Sequence, residues 1–196
     1  MLVFLGSCDT QSPQDFDRNQ QQLKEIAANP IVIKNADLTI QIYAQISKKM
    51  QKLQPNERMA YLDQLNTAFN DISTDQAGIQ FLHKEIGFEE AEEWLATGKY
   101  TMNLLASNNL NMEQGALLQD YLKQNLFETY GTNYAKSKPA CEYAFWVGAA
   151  ACEAAAVTGV LAGSLLGPVG ALFGGLGGGL ACVSTLIYAD ISCRTS

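Results

Sequence analysis

Apolar residues recur at helical spacing through the first two thirds of the chain. Three or four positions separate neighbouring members of each group, which is the period of an amphipathic helix. Asn29-Pro30, Pro55 and Gly87 interrupt the pattern at points typical of helix ends. Successive helices are therefore predicted between Gln14 and Tyr130, the last three over residues 75–86, 88–107 and 109–130. Their predicted buried positions are Leu23, Ile26, Ala27, Leu38, Ile42, Tyr43, Ile46, Met50, Met59, Leu62, Leu65, Phe69, Ile79, Leu82, Ile86, Ala91, Leu95, Met102, Leu105, Leu117, Leu118, Tyr121, Leu122, Leu126 and Phe127.

The last third of the chain has a different composition. No acidic or basic residue lies between Ala154 and Ala189, a segment rich in Gly and Ala. The change follows a stretch of linker composition, from Tyr130 to Pro139. Since no convincing alternation of apolar and polar residues predicts a strand, the expected fold class is all-α. A helical bundle over residues 14–135 precedes an apolar unit over residues 139–196.

Four of the five cysteines lie in this apolar unit, in two pairs that are each separated by eleven positions. That separation spans about three helical turns, roughly 16 Å, so neither pair bonds within its own helix. If the unit folds back as two antiparallel helices, residues that face each other have a constant sum of residue numbers. The pairs Cys141–Cys193 and Cys152–Cys182 have the same sum. One register therefore forms both bridges. The fold-back point then falls at Gly167-Pro168, residues suited to end one helix and begin another.

Glycine spacing supports the same hairpin. Glycine at every fourth residue makes a groove along a helix that permits close approach of a second helix. One such series lies on each predicted arm: Gly159, Gly163 and Gly167 on the first, and Gly170, Gly174 and Gly178 on the second. The prediction is a disulfide-stapled, glycine-zipper antiparallel helical hairpin. The alternative is four reduced, buried cysteines in a cytosolic helical protein.

The N-terminal residues carry a second motif. A short apolar run ends in Leu5-Gly6-Ser7-Cys8, and the chain turns polar at Asp9. This motif resembles the lipobox of bacterial lipoproteins, in which the signal is cleaved before the cysteine and the cysteine is lipidated. The resemblance implies that residues 1–13 are a signal remnant and tether, that Cys8 is lipidated, and that the protein is exported to the bacterial cell envelope. The alternative is a hydrophobic N-terminus with an incidental cysteine.

Charge and motif content exclude several kinds of site. The formal net charge is −7 and no basic stripe could neutralise phosphates, so nucleic-acid binding is not expected. His83 is the only histidine and lies in a segment typical of a helix surface. An acidic group in the first turn of a predicted helix complements the helix dipole; it consists of Glu89, Glu90, Glu92 and Glu93. No catalytic, cofactor-binding or metal-binding set of residues is predicted, and we expect a protein that is not an enzyme.

The apolar hairpin has two interpretations. The uncharged run from Val169 to Ala189 is long enough to span a bilayer, which takes about 20 residues. In composition and cysteine content the segment resembles the hydrophobic, cysteine-stapled bacteriocins of the halocin C8-like kind, which implies secretion and antimicrobial action on membranes. Two features favour a hairpin packed inside the bundle instead. Glu153 would cost about 2.5–3.5 kcal/mol in a bilayer, and the glycines 177–179 weaken a helix by roughly 1 kcal/mol each.

The expected function combines these features. The chain is predicted to be an exported, lipid-anchored, non-enzymatic envelope protein whose helical domain binds another protein or an apolar ligand. It contacts the membrane through the anchor at Cys8. The alternative is a membrane-active, bacteriocin-like effector that uses the C-terminal hairpin.

Overall fold

The computed structural model describes residues 13–108, 110, 112–128, 140–160 and 167–195. Within these ranges the chain forms α-helices and π-helical turns, and no strand. The predicted all-α class is confirmed. The α-helices in chain order are α1 (Pro13–Ala27), α2 (Pro30–Gln51), α3 (Arg58–Asp71), α4 (Asp75–Phe81), α5 (Ala91–Ser107), α6 (Met112–Leu126), α7 (Ala140–Val160) and α8 (Gly167–Thr195).

The helices begin where the sequence supplies capping groups. The Asn29 side chain accepts a hydrogen bond from the Ile31 amide at 2.9 Å, and Pro30 occupies the first helical position of α2. Thr74 caps α4 in the same manner, accepting from the Ala77 amide at 3.3 Å. The helix break predicted at Asn29-Pro30 is therefore confirmed.

The segment after α4 departs from the predicted α-helix. Leu82–Ile86 forms a π-helical turn, and Gly87 follows it with a φ of 74°. Glycine adopts this left-handed conformation without a steric penalty, and it ends the helix as predicted. The Phe88 amide then donates to the Leu82 carbonyl at 3.0 Å, which closes the turn. As a result, α5 begins at Ala91 and not at Phe88.

Helix α2 and the two C-terminal helices form the centre of the fold. α7 and α8 pack against each other, and both contact α2. α6 packs on α7 and α1 packs on α6, whereas α3, α4 and α5 pack on α8. The core accordingly joins α8 to the first helices: Phe173, Val183 and Ile187 of α8 are fully buried together with Ile42 and Ile46 of α2.

Most predicted buried positions lie in this core. All those predicted in α1 and α2 are buried. Met59 was predicted wrongly, because it lies in the first turn of α3 and is 59% exposed, whereas burial begins one turn later at Leu62. A further group packs against the core while partly exposed: Ile79, Met102, Leu117 and Tyr121.

Both predicted disulfides are present and close the hairpin. The Cα atoms lie 5.8 Å apart in Cys141–Cys193 and also in Cys152–Cys182, a typical separation for bonded cysteines. Between the two bridges, Gly148 of α7 faces Leu186 of α8. A Cβ on Gly148 would lie 2.7 Å from Leu186 Cδ1. This contact has the register of the cysteines, so α7 and α8 approach closely along the interval that the bridges enclose.

The predicted glycine pairing lies only partly within the described residues. A Cβ built on Gly174 or Gly178 would meet no atom within 4 Å, so neither position is a close contact between helices. The glycine series and the cysteine pairs imply slightly different registers, and the pairing of the two glycine series stays a prediction. Gly163 lies outside the described residues. Gly159 and Gly167 lie in the helices α7 and α8, and Gly170 is buried in α8.

Glycines outside the hairpin make room for its large side chains. A Cβ on Gly78 of α4 would overlap the ring of Phe173, and a Cβ on Gly98 of α5 would lie 2.8 Å from Leu172 Cδ2. The Phe173 ring packs edge-on against Trp94, with centroids 5.1 Å apart. The fit of α8 against the first helices therefore depends on glycines that the sequence pattern did not single out.

We expect Gly78→Ala to destabilise the protein, because the fully buried Phe173 ring has no room to move away from the added methyl group. The cost should be about 1–3 kcal/mol, as for other overpacked cores. Gly115→Ala is the matched control in α6, where a Cβ meets nothing within 4 Å; it should stabilise by about 0.5–1 kcal/mol. Urea unfolding measures both. Equal stability of the two variants would contradict the packing around Phe173.

Candidate functional site

Four polar residues follow one face of α2 at intervals of four positions: Asn35, Thr39, Tyr43 and Ser47. We call this set the α2 polar stripe. Each of its members is at most 5% exposed. Because a spacing of four keeps side chains on one face of a helix, the stripe points toward the neighbouring helices along its whole length.

Three members of the stripe bond to α5 and α8. Asn35 Nδ2 donates to the Trp94 carbonyl at 3.2 Å, and Trp94 Nε1 donates to Thr39 Oγ1 at 2.9 Å. One turn further along, the Tyr43 hydroxyl donates to the Leu176 carbonyl of α8 at 3.2 Å. These bonds give buried polar groups the partners they need and hold α2 in one orientation against α5 and the hairpin.

Glu153 of α7 is buried beside the stripe. It is 3% exposed, and its Oε2 accepts no hydrogen bond from the protein. The Thr39 hydroxyl lies within hydrogen-bonding reach of the carboxyl group. Among the described residues that surround Glu153, there is no lysine, arginine or histidine. The described lining of the adjoining cavity therefore offers no positive side chain to balance this carboxylate.

A small cavity lies in front of Glu153, between α2, α5, α7 and α8. Its volume is about 30 Å³, and a water molecule needs roughly 10–15 Å³ on the same scale. Its polar wall consists of Asn35, Thr39, Thr101 and Glu153, and apolar side chains such as Leu172 complete it. The space suits a ligand of one or two heavy atoms and is too small for an apolar ligand of ordinary size.

Burial controls the titration of this cluster. It raises the pKa of Glu153 well above the ordinary value of 4.5, because the carboxylate loses its hydration; the Thr39 hydrogen bond lowers the pKa by less. Burial likewise raises the pKa of Tyr43 well above 10.0, and the nearby charge of Glu153 raises it further. Among the described residues that line the cavity from α5 and α8, none titrates. Glu153 and Tyr43 are therefore the two groups whose charges interact here.

A larger cleft of about 230 Å³ opens on the surface between α2, α7 and α8. At its base Asp190, 4% exposed, accepts from Ser47 Oγ at 2.9 Å and from Arg194 Nε at 2.7 Å. Arg194 also approaches Glu142 Oε2 at 4.0 Å. The rest of the wall is formed by Gln41, Ala44, Gln45, Lys48, Phe145 and Trp146. The cleft is thus polar and carries charges of both signs.

The other residues singled out from the sequence lie apart from these sites. His83 Nε2 lies 3.2 Å from Glu92 Oε2, and Glu93 forms an ion pair with Lys34 at 3.5 Å. Glu89 and Glu90 directly precede α5. In the part of the chain that the structure describes, no group of three or more His, Cys, Asp or Glu side chains could hold a metal ion. Cys8 lies outside the described residues.

Helix α8 has the length and composition of a membrane span. The most apolar 18-residue window within Pro168–Arg194 has a mean hydropathy of 1.6, and α8 is the one helix in the described ranges with this property. Half of its most apolar window is buried inside the protein. The core helix of a soluble protein can have the same length and composition, so this feature alone does not assign α8 to a membrane.

The sequence carried a signal for the buried polar cluster that the pattern analysis missed. Asn35, Thr39 and Tyr43 share a helix face with one another, next to the apolar face of α2. Glu153 stood out only as an obstacle to membrane insertion. Their meeting depends on the register of α7 and α8 relative to α2, which no local pattern encodes.

Comparison with known proteins yields no match, whether to a protein-family model, to a curated protein or to a solved structure. The function is therefore inferred from the residues and their geometry.

We expect Glu153→Gln to stabilise the protein at pH 8 by about 1 kcal/mol or more, the scale of a buried polar group without a partner. The folded state of the wild type binds the Glu153 proton more tightly than the unfolded state does. Its stability therefore falls as pH rises above about 4.5, and the advantage of the variant should vanish on acidification toward that pH. Thermal unfolding between pH 4.5 and 8 measures this. The exposed Glu25→Gln is the control and should show no such trend; a pH-independent gain in Glu153→Gln would contradict the assignment.

Proposed function

We propose that this chain is an exported, lipid-anchored bacterial envelope protein that is not an enzyme and that acts by binding a partner. One observation carries the proposal: two disulfides close the helical hairpin at the centre of the fold. Disulfides of this structural kind form and persist in oxidising compartments outside the cytoplasm. They also account for four of the five cysteines and leave Cys8 for another role.

The lipid anchor rests on the sequence around Cys8. Leu5-Gly6-Ser7-Cys8 resembles the lipobox, and the polar residues from Asp9 onward provide a tether to α1. An acylated Cys8 would hold the helical domain at a membrane surface. The net charge of −7 gives the domain itself little attraction to anionic lipid, so the anchor supplies the membrane contact.

The surface cleft supports a protein partner more than an apolar ligand. Its wall carries Lys48, Glu142 and Arg194 beside the largely buried Trp146. Charged and amide side chains of this kind suit a polar protein surface, whereas apolar ligands are bound in mostly hydrophobic cavities. The described cavity within the core, beside Glu153, holds only one or two heavy atoms.

The cavity chemistry supports a non-enzymatic role. Glu153 has Thr39, Asn35 and Thr101 as polar neighbours, a set without a histidine or a thiol. General acid–base catalysis by Glu153 would require a substrate to reach it, and about 30 Å³ is too little space for that.

We expect the full-length gene product, expressed in a bacterial host with an alkyne analogue of palmitate, to become labelled at Cys8. The label should partition with the membrane fraction. Cys8→Ser should abolish both the labelling and the membrane association, while Ser7→Ala, which keeps a small residue before the cysteine, should retain them. An unlabelled wild-type protein would overturn the anchor.

A second function is favoured by one observation, the apolar helix over Pro168–Arg194. In this alternative the chain is a membrane-active, bacteriocin-like effector whose hairpin enters a bilayer. Insertion would require Phe173, Val183 and Ile187 to leave the core, and it would place Glu153 in lipid at a cost of about 2.5–3.5 kcal/mol. Those costs are why the binding protein is the leading proposal.

Dye release from liposomes separates the two functions. We expect the oxidised full-length chain to release no dye at micromolar concentration, because α8 stays enclosed by α3, α4 and α5. The destabilised Gly78→Ala variant is a useful comparison, since its core around Phe173 opens more readily. Release by the wild type at neutral pH would contradict a purely binding role and support the membrane-active effector.

A further inference from the structure

The cavity beside Glu153 has a surplus of hydrogen-bond acceptors. Asn35 uses both hydrogens of its amide nitrogen, on the Trp94 carbonyl at 3.2 Å and on Thr97 Oγ1 at 3.3 Å. Thr101 uses its hydroxyl hydrogen on the Thr97 carbonyl at 2.9 Å. What these two residues still offer to the cavity is oxygen lone pairs, on Asn35 Oδ1 and Thr101 Oγ1.

Thr39 contributes a further acceptor oxygen to the wall of the cavity. Its Oγ1 accepts from Trp94 Nε1 at 2.9 Å and lies 3.0 Å from the Asn35 carbonyl, to which it donates. A hydroxyl has one hydrogen, and both the Asn35 carbonyl and the Glu153 carboxyl group lie within its reach, so these two acceptors share one donor. Glu153 Oε2 accepts nothing from the protein. The polar wall of the cavity therefore consists of oxygen-bearing side chains from four residues, and the shared Thr39 hydrogen is the one donor that reaches the carboxyl group of Glu153 from this wall.

Such a wall attracts a positive species. No described lysine, arginine or histidine lines the cavity, and the sequence from Ala154 to Ala189 has no basic residue that could reach it from that segment. Hard cations are bound by carboxylate, hydroxyl and amide oxygens. Calcium and magnesium need more oxygen ligands than this wall provides, and usually more than one carboxylate. The charge of a monovalent ion is balanced by one carboxylate.

We propose that this cavity binds a small monovalent cation, held by the carboxylate of Glu153 and by the oxygens of Asn35, Thr39 and Thr101. The volume of about 30 Å³ accommodates the ion together with one water molecule. Bound there, the ion joins α2, α5 and α7 through oxygens of all three helices. It competes with a proton for the same carboxylate.

Thermal unfolding of the full chain tests the site directly. The protein is compared at pH 8 in lithium, sodium, potassium, ammonium and N-methylglucamine chlorides at one ionic strength. The last of these cations is too large for the cavity and reports the effect of ionic strength alone. We expect at least one small cation to raise the Tm by about 3 °C or more, and the rise should saturate with concentration. Lowering the pH should weaken this effect, because protons then occupy Glu153.

Two variants and a control locate the effect. Glu153→Gln should lose the cation-dependent rise in Tm, and Thr101→Val, which removes one oxygen but keeps the side-chain shape, should shift its midpoint to higher concentration. Glu25→Gln, at an exposed carboxylate, should respond as the wild type does. The proposal is overturned if all five salts give the same Tm for the wild type at every pH, or if Glu153→Gln keeps the full response. Because the first of these outcomes needs only the wild type, the test holds even if a variant fails to fold.

Discussion

The register in which two disulfides hold α7 against α8 determines the rest of the structure. Two helices rich in Ala and Gly have few large side chains that distinguish one register from the next. The bonds at Cys141–Cys193 and Cys152–Cys182 remove that ambiguity, and each contributes about 4 kcal/mol in the chain-entropy model. With the register fixed, Phe173 and Leu172 are placed where Gly78 and Gly98 leave room for them. The surrounding helices therefore fit the hairpin in the register that the disulfides hold.

The α2 polar stripe fixes the orientation of α2 against the hairpin. Apolar contacts alone would allow α2 to rotate or slide against the hairpin, whereas hydrogen bonds from Tyr43 and Ser47 to α8 are satisfied in one arrangement. Glu153 is the exception in this network, because its Oε2 has no protein donor and its burial is unfavourable for the charged form. A group that destabilises the fold in one protonation state makes the stability of the whole core depend on solution conditions.

The local sequence pattern was sufficient to predict the helices and the disulfides. Helical spacing placed Ile42, Ile46 and Phe69 in the core, and the cysteine spacing contained the antiparallel register. It was not sufficient where the outcome depends on a neighbour distant in sequence. Gly174 and Gly178 follow the spacing of a packed face, but a Cβ on either would meet no atom within 4 Å, and Met59 extends an apolar stripe into the exposed first turn of α3. The cluster around Glu153 draws on four helices at once, so no single segment could reveal it.

The bridge at Cys141–Cys193 also governs how the molecule responds to mechanical load. Force applied between α1 and the end of α8 passes from Cys141 directly to Cys193 and bypasses the residues between them. The sequence separation of 52 would otherwise add about 180 Å of extended chain. Pulling can therefore unravel α1 to α6 while the hairpin transmits the tension without lengthening. Under such a load the hairpin is the inextensible part of the molecule, and the preceding helices are the part that yields.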